Sequence, residues 1–173
     1  MKNFFTQNKR SIFGGIAAAT FTGLGAFLLG DISGYEAKSL ITSSIDGINM
    51  LCNTILLASA TILALLLTLL GISTGTESKI KKAHYKQVLN IAKFDTVLFV
   101  GSLVLFQLFN IPITESESLP TYWFAYIYWA TLFFSSVLSG LMVTVILLLY
   151  STVTNIISIV GLGEDHYLVN KEE

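Results

Sequence analysis

The sequence has 173 residues, of which 53% are hydrophobic and only 12% are charged, whereas soluble domains carry about 25% charged residues. This composition excludes an ordinary soluble domain, because too few charged groups are present to cover its surface. The net charge of −1 gives no electrostatic reason to expect a nucleic acid duplex as a partner.

Four stretches contain no Asp, Glu, Lys or Arg, namely residues 11–30, 47–76, 96–114 and 118–163. Each can form a helix that crosses the roughly 30 Å hydrocarbon core of a bilayer. The sequence therefore predicts an all-α, polytopic membrane protein, a single domain whose four transmembrane helices form a bundle. We expect the spans at about residues 11–30, 48–72, 96–113 and 122–150.

The first span is rich in small residues that stand four apart, such as Gly15 with Ala19 and Ala19 with Gly23. This spacing puts them on one face, where a second helix can approach closely. The alternative is a weakly hydrophobic helix lying in the interface. The apolar stretch is longer than that of a signal peptide, so we expect it to be retained. Residues 31–46 are predicted to form a polar link in which Ser43 or Ser44 caps the next helix.

A basic segment follows the second span, since residues 73–95 hold five of the ten basic residues. Its polar side chains recur at helical spacing and form one stripe; they are Lys79, Lys82, Lys86, Asn90 and Lys93. We therefore predict an amphipathic cytoplasmic helix at residues 77–93. No helix breaker separates it from the third span, so the two are expected to form one long helix.

The fourth span opens with an aromatic belt typical of a membrane interface, made of Tyr122, Trp123, Tyr126, Tyr128 and Trp129. The charge-free run of residues 118–163 is longer than one crossing requires. Either the helix continues past the membrane into a cytoplasmic tail at residues 151–173, or the run folds back near Ser139 and Gly140. We favour the first, because no Pro, Asn or charge marks a turn.

The basic residues divide unevenly if the chain crosses the membrane four times. Nine of them fall on one side and only Lys38 on the other. Short loops rich in Lys and Arg stay in the cytoplasm, which predicts a multi-pass membrane protein with both termini cytoplasmic.

The residue types that are missing from the predicted spans argue against most intramembrane chemistry. We expect no ionisable residue near the centre of a span, with Asp95 at the inner boundary, and such a pattern does not favour a proton pump or an ion-coupled transporter. His84 and His166 lie on cytoplasmic flanks, and no catalytic, metal or cofactor motif is present. The sequence therefore predicts a non-enzyme without metal or cofactor.

The candidate functional residues are polar but uncharged within the spans. Asn53 and Gln107 are expected at similar depth, where they either hold neighbouring helices together or line a pore in an oligomer. Ser135, Ser139 and Gly140 form a small band suited to the same two roles. Lys79, Lys82, Lys86 and Lys93 either touch lipid headgroups or receive an anionic cytoplasmic ligand or an acidic partner protein.

In layout the chain resembles small multi-span effectors of bacterial anti-phage systems, such as those that signal through cyclic oligonucleotides. The resemblance lies in the span count, the short links and the basic helix SKIKKAHYKQVLNIAKFD that leads into a span. It implies a location in the bacterial inner membrane, cytoplasmic activation, homo-oligomerisation and loss of membrane integrity. The alternative is a passive membrane scaffold that binds the helices of a partner protein.

Overall fold

The computed structural model describes residues 8–27, 34–75, 82–111 and 120–161. Within these ranges the chain is helical, with α1 at Lys9–Phe27, α2 at Gly34–Gly75, α3 at Lys82–Phe109 and α4 at Thr121–Gly161. Three of these helices contain segments long and apolar enough to cross a membrane, namely Glu36–Gly71, Tyr85–Phe109 and Tyr122–Ser158. The chain is therefore all-helical where it is described, and these segments indicate a membrane protein.

Local chemistry explains where the helices begin and end. Asn8 precedes α1, and its carbonyl accepts a hydrogen bond from the Ile12 N–H at 3.1 Å. Pro120 precedes α4 in the same way, where its missing N–H costs nothing. At the end of α3, the side-chain amide of Asn110 donates to the Phe106 carbonyl at 3.1 Å, and the Pro at position 112 disfavours further helix.

The polar link predicted at residues 31–46 is wrong for most of its length, because α2 already begins at Gly34. Ser43 and Ser44 are no caps: both hydroxyls donate to the Leu40 carbonyl within the helix. The helix continues here because Ala37 and Ile41 bury themselves against Phe124 and Tyr128 of α4. The Lys38 Nζ adds a cation–π contact, 5.3 Å from the centroid of the Phe124 ring.

Two predicted continuities are confirmed. From Lys82 onward the basic segment and the third predicted span share one helix that ends at Phe109, whereas residues 73–75 belong to α2 and residues 76–81 lie outside the described residues. Residues Thr121–Gly161 also form a single helix, so the chain does not fold back near Ser139 and Gly140. The rest of the predicted tail, residues 162–173, lies outside the described residues.

Helices α2, α3 and α4 form a bundle in which α3 runs antiparallel to its two neighbours. Gln87 near the start of α3 contacts Thr152 near the end of α4. At the opposite end, one apolar cavity is lined by Ile41 of α2, Leu108 of α3 and Phe124 of α4. The start of α3 and the ends of α2 and α4 therefore share one end of the bundle.

Helix α1 packs along the outside of α4 in the antiparallel direction, as the bond from Ser136 to the Ala19 carbonyl and the contact between Gly15 and Thr144 require. The start of α1, with Lys9 and Arg10, therefore lies at the end of the bundle where α3 starts and carries Lys86. Lys38 lies near the other end. Helix α1 is not among the three candidate spans.

Candidate functional site: a buried carboxylate in the bundle

The interior of the bundle is built from residues spaced alternately three and four apart, the repeat of left-handed helix packing. On α3 the buried face consists of Val88, Ile91, Asp95, Leu98, Ser102 and Leu105. On α2 it includes Cys52, Ile55, Ser59, Ile62 and Leu66. Most of these side chains are apolar, which makes the aspartate and the serines exceptions within one continuous core.

Asp95 is the only residue of a charged type on these two buried faces, and it is 0% exposed. Neither of its carboxylate oxygens has a well-formed hydrogen bond. The polar group that faces it is the hydroxyl of Ser59 on α2, which is also 0% exposed and lacks hydrogen-bond geometry. An ionised carboxylate in such surroundings is strongly disfavoured unless something neutralises it.

The expected position of Asp95 at the inner membrane boundary stays a prediction, while the structure shows the residue on the buried face of α3. Asp95 lies two residues before the middle of the candidate span Tyr85–Phe109. Its neighbour Ser59 lies twelve residues inside the charge-free stretch that begins at Gly47, about 18 Å along the helix. The expectation that no span carries an ionisable group near its centre likewise stays a prediction. Burying an ionisable group within a span costs free energy, and such a group is therefore a candidate functional site.

More polar atoms without partners lie in the core on one side of Asp95. Ser102 follows it by two turns on the same buried face, about 10 Å along α3. Ser135 lies one turn from Leu138, whose Cδ2 would lie 3.4 Å from a Cβ placed on Gly101. The hydroxyls of both serines and the carbonyl Oδ1 of Asn49 are buried without a hydrogen-bond partner.

On the other side of Asp95 the buried polar groups are paired. The Gln87 side-chain amide donates to the Thr152 hydroxyl at 3.0 Å, and that hydroxyl donates to the Leu148 carbonyl at 2.9 Å. This pair connects α3 to α4. Polar atoms thus occur at several levels along the interior, and Asp95 lies between the paired and the unpaired ones.

The predicted lysine stripe is only partly described. Lys79 lies outside the described residues, and Lys82 begins α3. Lys86 and Lys93 are exposed, whereas Val88, on the expected apolar side of the helix, is buried. Lys93 and Asp95 are close in sequence but face opposite sides, because two residues rotate a helix by about 200°.

The structure does not bring Asn53 and Gln107 together. Both side chains are exposed, and among the described residues neither makes a hydrogen bond to the other. The contact between Ser59 and Asp95 sets the register of α2 against α3. In that register the two amides differ in level by about 9 Å along the bundle.

The small band on α4 divides between two faces. Gly140 lies against α1, where a Cβ on it would stand 2.7 Å from both the Ala19 Cβ and the Gly15 carbonyl oxygen. Ser136 donates to the Ala19 carbonyl at 2.5 Å. Ser135 instead follows the buried repeat of the three-helix core, and Ser139 is half-buried. The face of small residues predicted on the first helix therefore lies at a close crossing of α1 and α4.

Sequence reasoning missed Ser59, Ser102 and the pair formed by Gln87 and Thr152. A signal was present, since Gln87 and Ser102 stand eight and seven residues from Asp95. That spacing places all three on one side of a helix. Comparison with protein families, curated proteins and solved structures finds no significant match for this chain.

Proposed function

We propose that this chain is a self-associating protein of the bacterial inner membrane that makes the membrane permeable to ions when it is triggered from its lysine-bearing end. The observation that carries the proposal is the exposure of Asn53 and Gln107 on the outer surface of two candidate spans. An amide that faces lipid has no hydrogen-bond partner, whereas an amide between helices does. Association of copies would supply those partners and put polar groups between the chains.

The trigger is proposed to act on the lysines of α3. Lys86 and Lys93 are exposed and stand on one side of that helix, where they can bind an anionic cytoplasmic ligand, an acidic partner protein or lipid headgroups. The same helix carries Asp95 in its buried face, so a movement of α3 reaches the interior of the bundle directly. A ligand at the lysines therefore has a mechanical connection to the core.

The proposed topology has four spans with both termini in the cytoplasm. Helix α1 has 19 residues, which correspond to about 28 Å and nearly match the hydrocarbon core. Lys9, Arg10 and Lys86 lie at the same end of the bundle, which supports a cytoplasmic location for that end. The resemblance to anti-phage effectors suggests defence as the biological setting.

The first experiment measures membrane potential with a voltage-sensitive dye in bacteria after induced expression. Wild type is compared with a variant in which Lys79, Lys82, Lys86 and Lys93 are replaced by Gln, at matched membrane levels. The control is Lys38→Gln, which removes a lysine from the other end of the bundle. We expect depolarisation by wild type and by the control but not by the lysine variant.

A second comparison tests the amides. Replacing Asn53 and Gln107 by Leu is expected to reduce homo-oligomers seen by crosslinking in membranes and to reduce depolarisation in parallel. Thr54→Val is the control, because Thr54 is also exposed but its hydroxyl already donates to the Met50 carbonyl at 2.8 Å. A wild-type protein that never depolarises cells and copurifies with another protein at a fixed ratio would contradict the proposal and favour a scaffold.

A further inference from the structure

We propose that Asp95 is a proton-binding site in the bundle interior and that protons are the ions which the protein conducts. The inference rests on the proposed function, because it names the ion that crosses the membrane. Its geometric basis is the fully buried carboxylate, the facing Ser59 hydroxyl and the unpartnered polar atoms that continue along the same core.

The groups around Asp95 cannot neutralise it as a salt bridge. From α2 the core contributes Ile55, Ser59 and Ile62, and from α4 it contributes Val145. All of these are uncharged. The described lysines of its own helix, Lys86 and Lys93, are exposed on other sides of α3. On the described core face of α2 the one titratable group is Cys52, which lies two turns from Ser59. A buried carboxylate without a basic partner needs a cation from outside the protein.

A proton fits this site better than a metal ion does. Among the described residues, no three His, Cys, Asp or Glu side chains come together in a way that could hold a metal. Hard cations such as Ca²⁺ need about six to eight oxygen ligands, whereas the site offers one carboxylate and one hydroxyl. A proton needs a single carboxylate oxygen, and the resulting neutral acid can donate its O–H to the Ser59 oxygen.

The remaining polar atoms extend the site into a path. A hydroxyl can accept a proton on its oxygen while it donates its own proton onward, so Ser102, about 10 Å from Asp95 along α3, and Ser135 can relay protons through intervening water. The carboxylate takes up one proton from one side and returns to its ionised form when it releases that proton to the other. The membrane potential supplies the driving force, and no further reactant is required.

Proton binding is tested by infrared spectroscopy of the full-length protein in phospholipid vesicles. At neutral pH, where carboxyl groups in water are ionised, we expect the C=O band of one protonated carboxyl group in wild type and in Asp46→Asn, lost as the pH is raised further. Asp46 is an exposed aspartate on α2 and serves as the control. The band should be absent in Asp95→Asn. A carboxylate that stays ionised throughout the accessible pH range would overturn the inference.

Proton conduction is tested in the same vesicles with an internal pH-sensitive dye and an imposed potential. Wild type and Asp46→Asn should acidify the interior, Asp95→Asn should lose this flux, and Asp95→Glu should retain it. Potassium and chloride fluxes are measured in parallel. Proton flux unchanged in Asp95→Asn would overturn the inference but not the proposed function, whereas a wild type that passes no ion would overturn both. Asp95→Asn should unfold no earlier than wild type, which separates lost conduction from lost folding.

Discussion

The close crossing of α1 and α4 makes Gly140→Ala a sharp test of the fold. A Cβ at this position would lie 2.7 Å from the Ala19 Cβ and 2.7 Å from the Gly15 carbonyl oxygen. Carbon atoms in contact stand about 3.5 to 4.0 Å apart, so the two helices have to separate by roughly 1 Å. The Gly15 oxygen belongs to the backbone and cannot be moved by a change of side-chain rotamer.

The expected cost follows from that separation. A gap of about 0.5 to 1 Å forfeits a quarter to a half of the dispersion energy of each contact, and overpacking of a fitted core typically costs about 1 to 3 kcal/mol. Alanine also favours the helix over glycine by about 1 kcal/mol. Gly25→Ala is the control for this gain in helix stability, because a Cβ added at Gly25 of α1 would meet no atom within 4 Å.

The assay is equilibrium unfolding in mild detergent for wild type, Gly140→Ala and Gly25→Ala. We expect Gly140→Ala to have a free energy of unfolding about 1 to 3 kcal/mol below that of Gly25→Ala. Protease cleavage at the start of α1 should also become faster in Gly140→Ala. Equal stability of the two variants would refute the close approach of these helices.

Two further predictions concern the polar contacts between helices. Thr152→Val should lower the free energy of unfolding by about 1 to 3 kcal/mol, because it leaves the buried Gln87 amide without its acceptor. The control Thr154→Val should change the stability little, since the exposed Thr154 hydroxyl bonds only within its own helix. Ser136→Ala should cost about 0.5 to 1.5 kcal/mol through loss of the bond to the Ala19 carbonyl. Both are measured by the same unfolding assay, and a Thr152→Val variant as stable as Thr154→Val would contradict the first.

The sequence was sufficient for the parts of the fold that depend on one helix at a time. Runs without charge predicted helices in the right places, and the absence of breakers predicted that α3 and α4 each continue without interruption. The early start of α2 at Gly34 was not predicted, because polar residues around positions 31–46 look like a link. The stabilising contacts of that segment are with Phe124 and Tyr128, far away in sequence.

The site was harder to predict for a related reason. Counting charges along the chain places Asp95 beside Lys93 and therefore at a membrane boundary. Helical rotation separates the two by about 200°, so one is exposed and the other is buried. The apolar repeat of Val88, Ile91 and Leu98 indicates the side of α3 that carries Asp95, but only the packing of the helices shows that Ser59 of α2 faces it.

The polar atoms of the core are better explained by a function than by stability. At equivalent positions of the same repeat, α3 carries Val88, Ile91 and Leu98, side chains that fill a core without leaving polar atoms unpaired. Asp95 and Ser102 break that pattern, and a buried polar group without a partner costs about 1 to 3 kcal/mol. Apolar residues of similar volume at such positions are often neutral or stabilising. The proposed proton site accounts for this carboxylate, since a lone buried acid with one facing hydroxyl can hold a proton without any other ligand.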